Sequence, residues 1–161
     1  MQAETSENRY DSLFMGIYLS MPMQDFYDHA YELNQQKIFF KNPGSTDIRY
    51  TYETEFRSPV HFVFFPRGGH QTVQKISGHM YYENWSPFSK AFNAGRLQEE
   101  VKAFMEAKYG GSPFKKEEHP KRYWPYSYVK TDGNRKIHLY RSFDDSKLQV
   151  VFENLDLGKQ Q

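Results

Sequence analysis

The chain has 161 residues, of which 18% are aromatic and 25% charged, enough for one domain with one core. Lys and Arg number 21 against 20 Asp and Glu, so there is no global basic footprint of the kind nucleic-acid binding prefers. Cysteine is absent, which excludes disulfides, thiolate metal sites and a cysteine nucleophile, and no apolar run approaches the roughly 20 residues that a membrane-spanning helix needs.

Residues 1–11 are polar and acidic and read as a loose tail without a signal peptide. A periplasmic or cell-envelope location is therefore expected if a leader was trimmed, and a cytoplasmic one otherwise. SLFMGIYLS (12–20) is a short apolar segment. Residues 21–37 are predicted helical: Pro22 suits a first turn, Met23, Phe26, Tyr27, Ala30 and Tyr31 follow a three-four spacing, and Asp25 and Asp28 sit where the helix dipole favours them. KNPGSTD (41–47) is a loop.

The period then becomes two. Ile48, Tyr50, Tyr52 and Phe56 fall mostly on one face of a strand. The next strand is apolar on both faces, with Val60, Phe62 and Phe64 on one and His61, Val63 and Phe65 on the other, as in a central position. Arg67 to His70 is a predicted hairpin turn, and 71–83 a third strand in which Gly78 marks a bulge. Residues 86–111 form the second predicted helix, with Ser86 as N-cap, Pro87 in the first turn, Gly95 as a point of division and Gly110-Gly111 as its end. A meander closes the chain: strands at about 123–130 and 135–143 joined at Asp132-Gly133, a turn at 144–146, and KLQVVFENL (147–155).

The order is α-βββ-α-βββ, a duplication of pattern and not of residues. The predicted fold class is α+β: two α-βββ modules, about 12–83 and 84–157, in one domain over 12–157, forming a mostly antiparallel sheet with the helices packed on one face.

Phe14, Gly16, Ile17, Leu19 and Phe26, then Trp85 before the second helix and Lys108-Tyr109-Gly110 at its end, carry a resemblance. On these residues the chain resembles a family of small Bacteroidetes cell-envelope proteins of unknown function. The duplicated pattern is also similar to beta-lactamase-inhibitor-protein-like and outer-membrane-assembly-lipoprotein-like domains. The resemblance implies a periplasmic or lipid-anchored protein that binds other proteins and is not a catalyst, and it brings no catalytic residues. The chain departs from it in having neither a signal segment nor a lipobox cysteine.

Catalytic chemistry has no short motif here. There is no phosphate loop, dinucleotide fingerprint, nucleophile elbow or His-Glu-x-x-His spacing, so no cofactor, metal site or catalytic residue is predicted. Asp25, Asp28, His29 and Glu32 read as a solvated helix face. His61 and His138 read as satisfied side chains beside a sheet. Glu99-Glu100 and Glu117-Glu118 are sequence neighbours that point apart, and Asp144-Asp145 is turn chemistry. The basic and aromatic run 115–130 resembles a single-strand nucleic-acid platform, but Glu117 and Glu118 interrupt it and nucleic acid is not the predicted partner.

What remains is an aromatic surface. In the strand 135–143, Ile137 and Leu139 are predicted to meet the helices, which leaves His138 and Tyr140 on an open face. Trp124, Tyr126 and Tyr128 share one side of the neighbouring strand and are placed with them, and Tyr50 and Tyr52 extend the surface in the first half. A contiguous exposed aromatic patch marks a partner or ligand site. The alternative is that these rings pack on a neighbouring strand or on the second subunit of a homodimer. The sequence thus predicts a non-catalytic binding domain with a protein or carbohydrate partner. The rival readings are a small hydrolase with a His/carboxylate cleft between the modules and a carbohydrate-binding module.

Overall fold

The computed structural model describes residues 9–118, 125–142 and 145–155. The elements run β1 (Ser12–Phe14), β2 (Ile17–Tyr18), α1 (Met23–Gln35), β3 (Phe40–Lys41), β4 (Ile48–Tyr52), β5 (Val60–Pro66), β6 (Lys75–Tyr82), α2 (Ala94–Tyr109), β7 (Lys115–Glu117), β8 (Ser127–Asp132), β9 (Arg135–Arg141) and β10 (Leu148–Asn154). β1 and β2 form a small hairpin that turns at Met15 and Gly16, both at positive φ. The other eight strands make one antiparallel sheet in the order β3-β4-β5-β6-β10-β9-β8-β7. This is the predicted α+β class, with two additions: the β1–β2 hairpin, and a short edge strand, β3 or β7, at the start of each half's meander.

The halves meet where β6 pairs with β10, Met80 opposite Leu148 and Ile76 opposite Phe152. Both modules therefore contribute their last strand to the centre of the sheet, and their first strands become its edges. No helix among the described residues is long and apolar enough to cross a membrane.

Alternation sorts the side chains. Val60, Phe62 and Phe64 of β5, Ile76 and Met80 of β6, Leu148, Val150 and Phe152 of β10, and Ile137 and Leu139 of β9 are buried on one face. Leu97, Val101 and Met105 of α2 complete that core, and the β1–β2 hairpin adds Phe14, whose ring lies 4.9–5.4 Å from those of Phe62, Phe64 and Phe152. Each fully buried ring of this kind contributes roughly 1.5–3 kcal/mol. α1 is held through Phe26 and Leu33, and Phe39 beyond it packs edge-on against Phe64.

Three local expectations change. α2 begins eight residues after Ser86, at Ala94; Asn93 is the N-cap and accepts a 2.8 Å bond from the Arg96 N–H. Phe88 is 94% exposed, so the segment before Ala94 has no buried stripe to hold it helical. Gly95 lies in the first turn and divides nothing. Gly78 marks no bulge: the β5–β6 register runs unbroken from Val60–Tyr82 to Pro66–Ile76. Its role is close approach, since a Cβ there would lie 2.0 Å from the Val63 carbonyl oxygen.

A buried polar knot ties the second half together. The Lys130 side chain is fully buried on the helix side of β8 and donates to the carbonyls of Gly110 and Ser112 at the end of α2 and, at 2.5 Å, to Asp132. Burial opposes the charged form of the Asp132 carboxyl. The bonds from Lys130 and the Ser112 N–H outweigh it and hold the carboxyl below the usual carboxylate range.

Candidate functional site

The face of the sheet opposite α2 is built from the alternate residues. Read across the strands, one row is Thr51, His61 and Tyr81; the next is Arg49, Val63, His79, Gln149, Tyr140 and Ser127; the next is Phe65, Ser77, Val151, His138 and Val129. Three histidines and two tyrosines therefore share a surface that is otherwise polar or β-branched except at Phe65, whose ring meets that of Phe26 of α1 at 6.0 Å. Their rings lie close along the strands: His61 and Tyr81 at 5.2 Å, His79 and Tyr81 stacked at 6.0 Å, His138 and Tyr140 at 4.9 Å.

Two hollows on this face are built around its histidines; a third, about 520 Å³, lies at the β4 edge beside Arg49 and Thr51. The larger of the two, about 480 Å³, is lined by Asn42, His79, Tyr81, Trp85, Ser146 and Lys147. It lies over the β6–β10 seam. The loop between β3 and β4 supplies Asn42, the turn between β9 and β10 supplies Ser146 and Lys147, and Trp85 follows the end of β6. Both halves of the chain are needed to build it. The smaller, about 270 Å³, is lined by Lys75, Lys136, His138, Tyr140, Val151 and Glu153.

Both histidines are held neutral near pH 7. Burial pushes the His79 pKa down, the Lys147 ammonium pushes it further, and the Asp47 carboxylate offsets part of the shift. Burial and then Lys136 lower His138, against Glu117 and Glu153. A neutral imidazole offers one donor and one acceptor, so each can meet a hydroxyl in either sense. Among the described residues, His138 Nε2 has no hydrogen-bond partner and Lys147 has no carboxylate within ion-pair distance. Arg67, by contrast, is committed to Asp47 at 2.8 Å and to Ser77 at 3.2 Å.

A third arrangement lies beside the larger hollow. His61 Nδ1 is 2.8 Å from Thr51 Oγ1 and His61 Nε2 is 3.3 Å from Glu83 Oε1. With its proton on Nε2 the ring donates to Glu83 and accepts from the Thr51 hydroxyl, the order of hydroxyl, imidazole and carboxylate that a general base uses.

The predicted site residues are divided by the sheet. His138 and Tyr140 are on the open face as predicted, Tyr140 with 38% of its surface exposed. Tyr126 and Tyr128 are not: both hydroxyls donate to Glu99 of α2, at 3.1 and 2.9 Å, on the opposite face. Tyr50 and Tyr52 also face the helix layer. Tyr50 packs against Phe39, and Tyr52 is buried against Phe56 and Phe104. Trp124 lies outside the described residues. The six residues around the larger hollow were not predicted. Ser77, His79 and Tyr81 alternate with Ile76, Met80 and Tyr82 across Gly78, so the histidine and tyrosine were readable as outward-facing. Asn42, Trp85, Ser146 and Lys147 lie at or beyond strand ends and meet only in three dimensions.

Among the described residues no group of three or more His, Asp or Glu could hold a metal ion. The chain matches no protein-family model, no curated protein and no solved structure.

Proposed function

We propose that this protein is a non-catalytic binding domain that takes its ligand on the open face of the sheet. The observation that carries the reading is the 480 Å³ hollow over the seam, because it combines exposed ring surface with polar groups on a face that α2 does not cover. That mixture, a few placed polar groups against aromatic walls, is the usual chemistry of a ligand site, and the volume falls within the usual range. The cell-envelope setting belongs to this proposal and rests on the resemblance alone.

The test is nuclear magnetic resonance mapping of the full chain with a panel of small sugars and short peptides. Shifts clustered on His79, Tyr81, Trp85 and Lys147, and reduced by Tyr81→Ala, support the reading. Shifts confined to the α2 side would overturn it, as would none from any probe.

A second reading, a small hydrolase, draws on Thr51, His61 and Glu83. Thr51 Oγ1 would attack an ester carbonyl carbon while its proton passes to His61 Nδ1; the C–O bond to the alcohol breaks as His61 returns that proton to the leaving alkoxide, and a water deprotonated by His61 then releases the acid from Thr51. Turnover of an activated ester that is lost in both Thr51→Val and His61→Gln favours it. Equal rates in the parent and both variants remove it.

A further inference from the structure

Resting on the binding reading above, we infer that the larger hollow takes an acidic sugar, a pyranose ring that carries a carboxylate.

Three features of the hollow select that chemistry. The first is ring surface. Trp85 is 37% exposed at the rim, and the Tyr81 ring stacks with His79 along the same strand. Aromatic faces carry the negative side of a quadrupole, which suits the partly positive C–H groups of a pyranose.

The second is the polar edge. Neutral His79 and the Asn42 amide, which spends one N–H on Ser45 at 3.3 Å, each combine donor and acceptor capacity, as sugar hydroxyls do. A site for an aliphatic or purely aromatic ligand would not surround its rings with groups that both give and accept.

The third is charge. Among the described residues Lys147 brings one ammonium without a carboxylate partner, and it already weakens protonation of His79, so its field reaches into the hollow. One point charge matches a singly charged carboxylate. Phosphate and sulfate groups are typically held by guanidinium forks or nests of backbone N–H groups. Arg67 on the same face is already spent on Asp47 and Ser77, and among the described residues no arginine lines the hollow.

The experiment follows the Trp85 indole N–H signal of the full chain, assigned with Trp85→Phe, during titration with glucuronate and with glucose. Glucuronate should shift the indole and His79 signals and bind about tenfold more tightly than glucose, the scale of one charge-assisted hydrogen bond. Lys147→Gln, at an exposed position, should bring the two sugars level while changing the free protein's spectrum only around the hollow, His79 included. A uronate trimer then separates a free sugar acid from a residue of a polysaccharide: tighter binding by the trimer assigns the polymer, equal binding the free acid.

Equal binding of glucuronate and glucose by the parent would overturn the inference, as would a preference that survives in Lys147→Gln. Either result leaves the binding-domain reading standing. Silence of the indole with both sugars also overturns it, and the binding-domain reading then falls only if the peptide probes are silent as well.

Discussion

Lys130 Nζ lies 2.5 Å from Asp132 Oδ2, and neither side chain meets solvent appreciably: 0% of the lysine and 4% of the aspartate side chain are exposed. The pair closes the end of α2 onto β8, because the same ammonium also binds the carbonyls of Gly110 and Ser112. Removing one partner strands the other charge in the interior. Lys130→Met should therefore lower the unfolding free energy by about 3–5 kcal/mol, and Asp132→Asn by a similar amount. Replacing both residues with apolar ones should recover a large part of the loss. Urea unfolding of the single and double variants measures each value, and an unaltered midpoint in Lys130→Met would show that the pair does not hold the helix end.

The two faces of the sheet should respond to mutation in opposite ways. Tyr128→Phe removes a bond to Glu99 on the buried side and should cost about 1 kcal/mol of stability with no change in ligand shifts on the open face. Tyr140→Ala should leave the unfolding midpoint nearly unchanged and reduce ligand shifts at the smaller hollow, where Tyr140 is part of the wall. Thermal melts paired with the same titrations check both halves of this expectation.

Acid should destabilise the protein in two windows. His79 and His138 have folded-state pKa values below the ordinary 6.5, so the unfolded chain binds more protons than the folded one below that pH. Their contribution is complete above about pH 6.5 and is lost as pH falls through the folded values. Asp132 behaves likewise in a lower window: its contribution is present above the unfolded carboxylate value of about 3.9 and is lost as pH falls through its depressed folded value. Stability measured from pH 7 to pH 4 should fall for the parent and fall less for His79→Gln/His138→Gln. A parallel decline in both proteins would rule out these histidines as the source.

Gly78 sits in regular strand, yet an added Cβ would meet the Val63 carbonyl at 2.0 Å and Phe64 Cα at 2.8 Å. Backbone cannot rotate out of the way as a side-chain tip can. Gly78→Ala should push β5 and β6 apart and cost about 1–3 kcal/mol, the usual scale of overpacking in a core. A thermal melt compared with Ser77→Ala, one position along on the open face, isolates the steric part.

Part of the division between faces was written in the chain. β8 and β9 are joined by the two-residue loop Gly133-Asn134, which pairs Asp132 with Arg135 and Tyr128 with Leu139. Any two-residue hairpin loop pairs an even-numbered position with an odd-numbered one. Tyr126 and Tyr128 must then share the side of Ile137 and Leu139, which the alternation had already assigned to the helices. Placing them with His138 and Tyr140 overlooked that constraint. The seven residues between β4 and β5 impose no such parity, so the inward facing of Tyr50 and Tyr52 was not readable in the same way.

Alternation, turn residues and helix stripes are local, and they determined the α+β class, the duplicated module and which residues of a given strand lie together. The order of the strands was decided elsewhere. β6 meets β10 across a separation of some seventy residues, and nothing in either strand names its partner, because backbone hydrogen bonds are the same for every sequence. That one pairing carries the loop of Asn42 and the turn of Ser146 and Lys147 to the same stretch of β6, where His79 and Tyr81 wait. The site is thus a product of the tertiary structure, assembled from side chains that local preference leaves far apart.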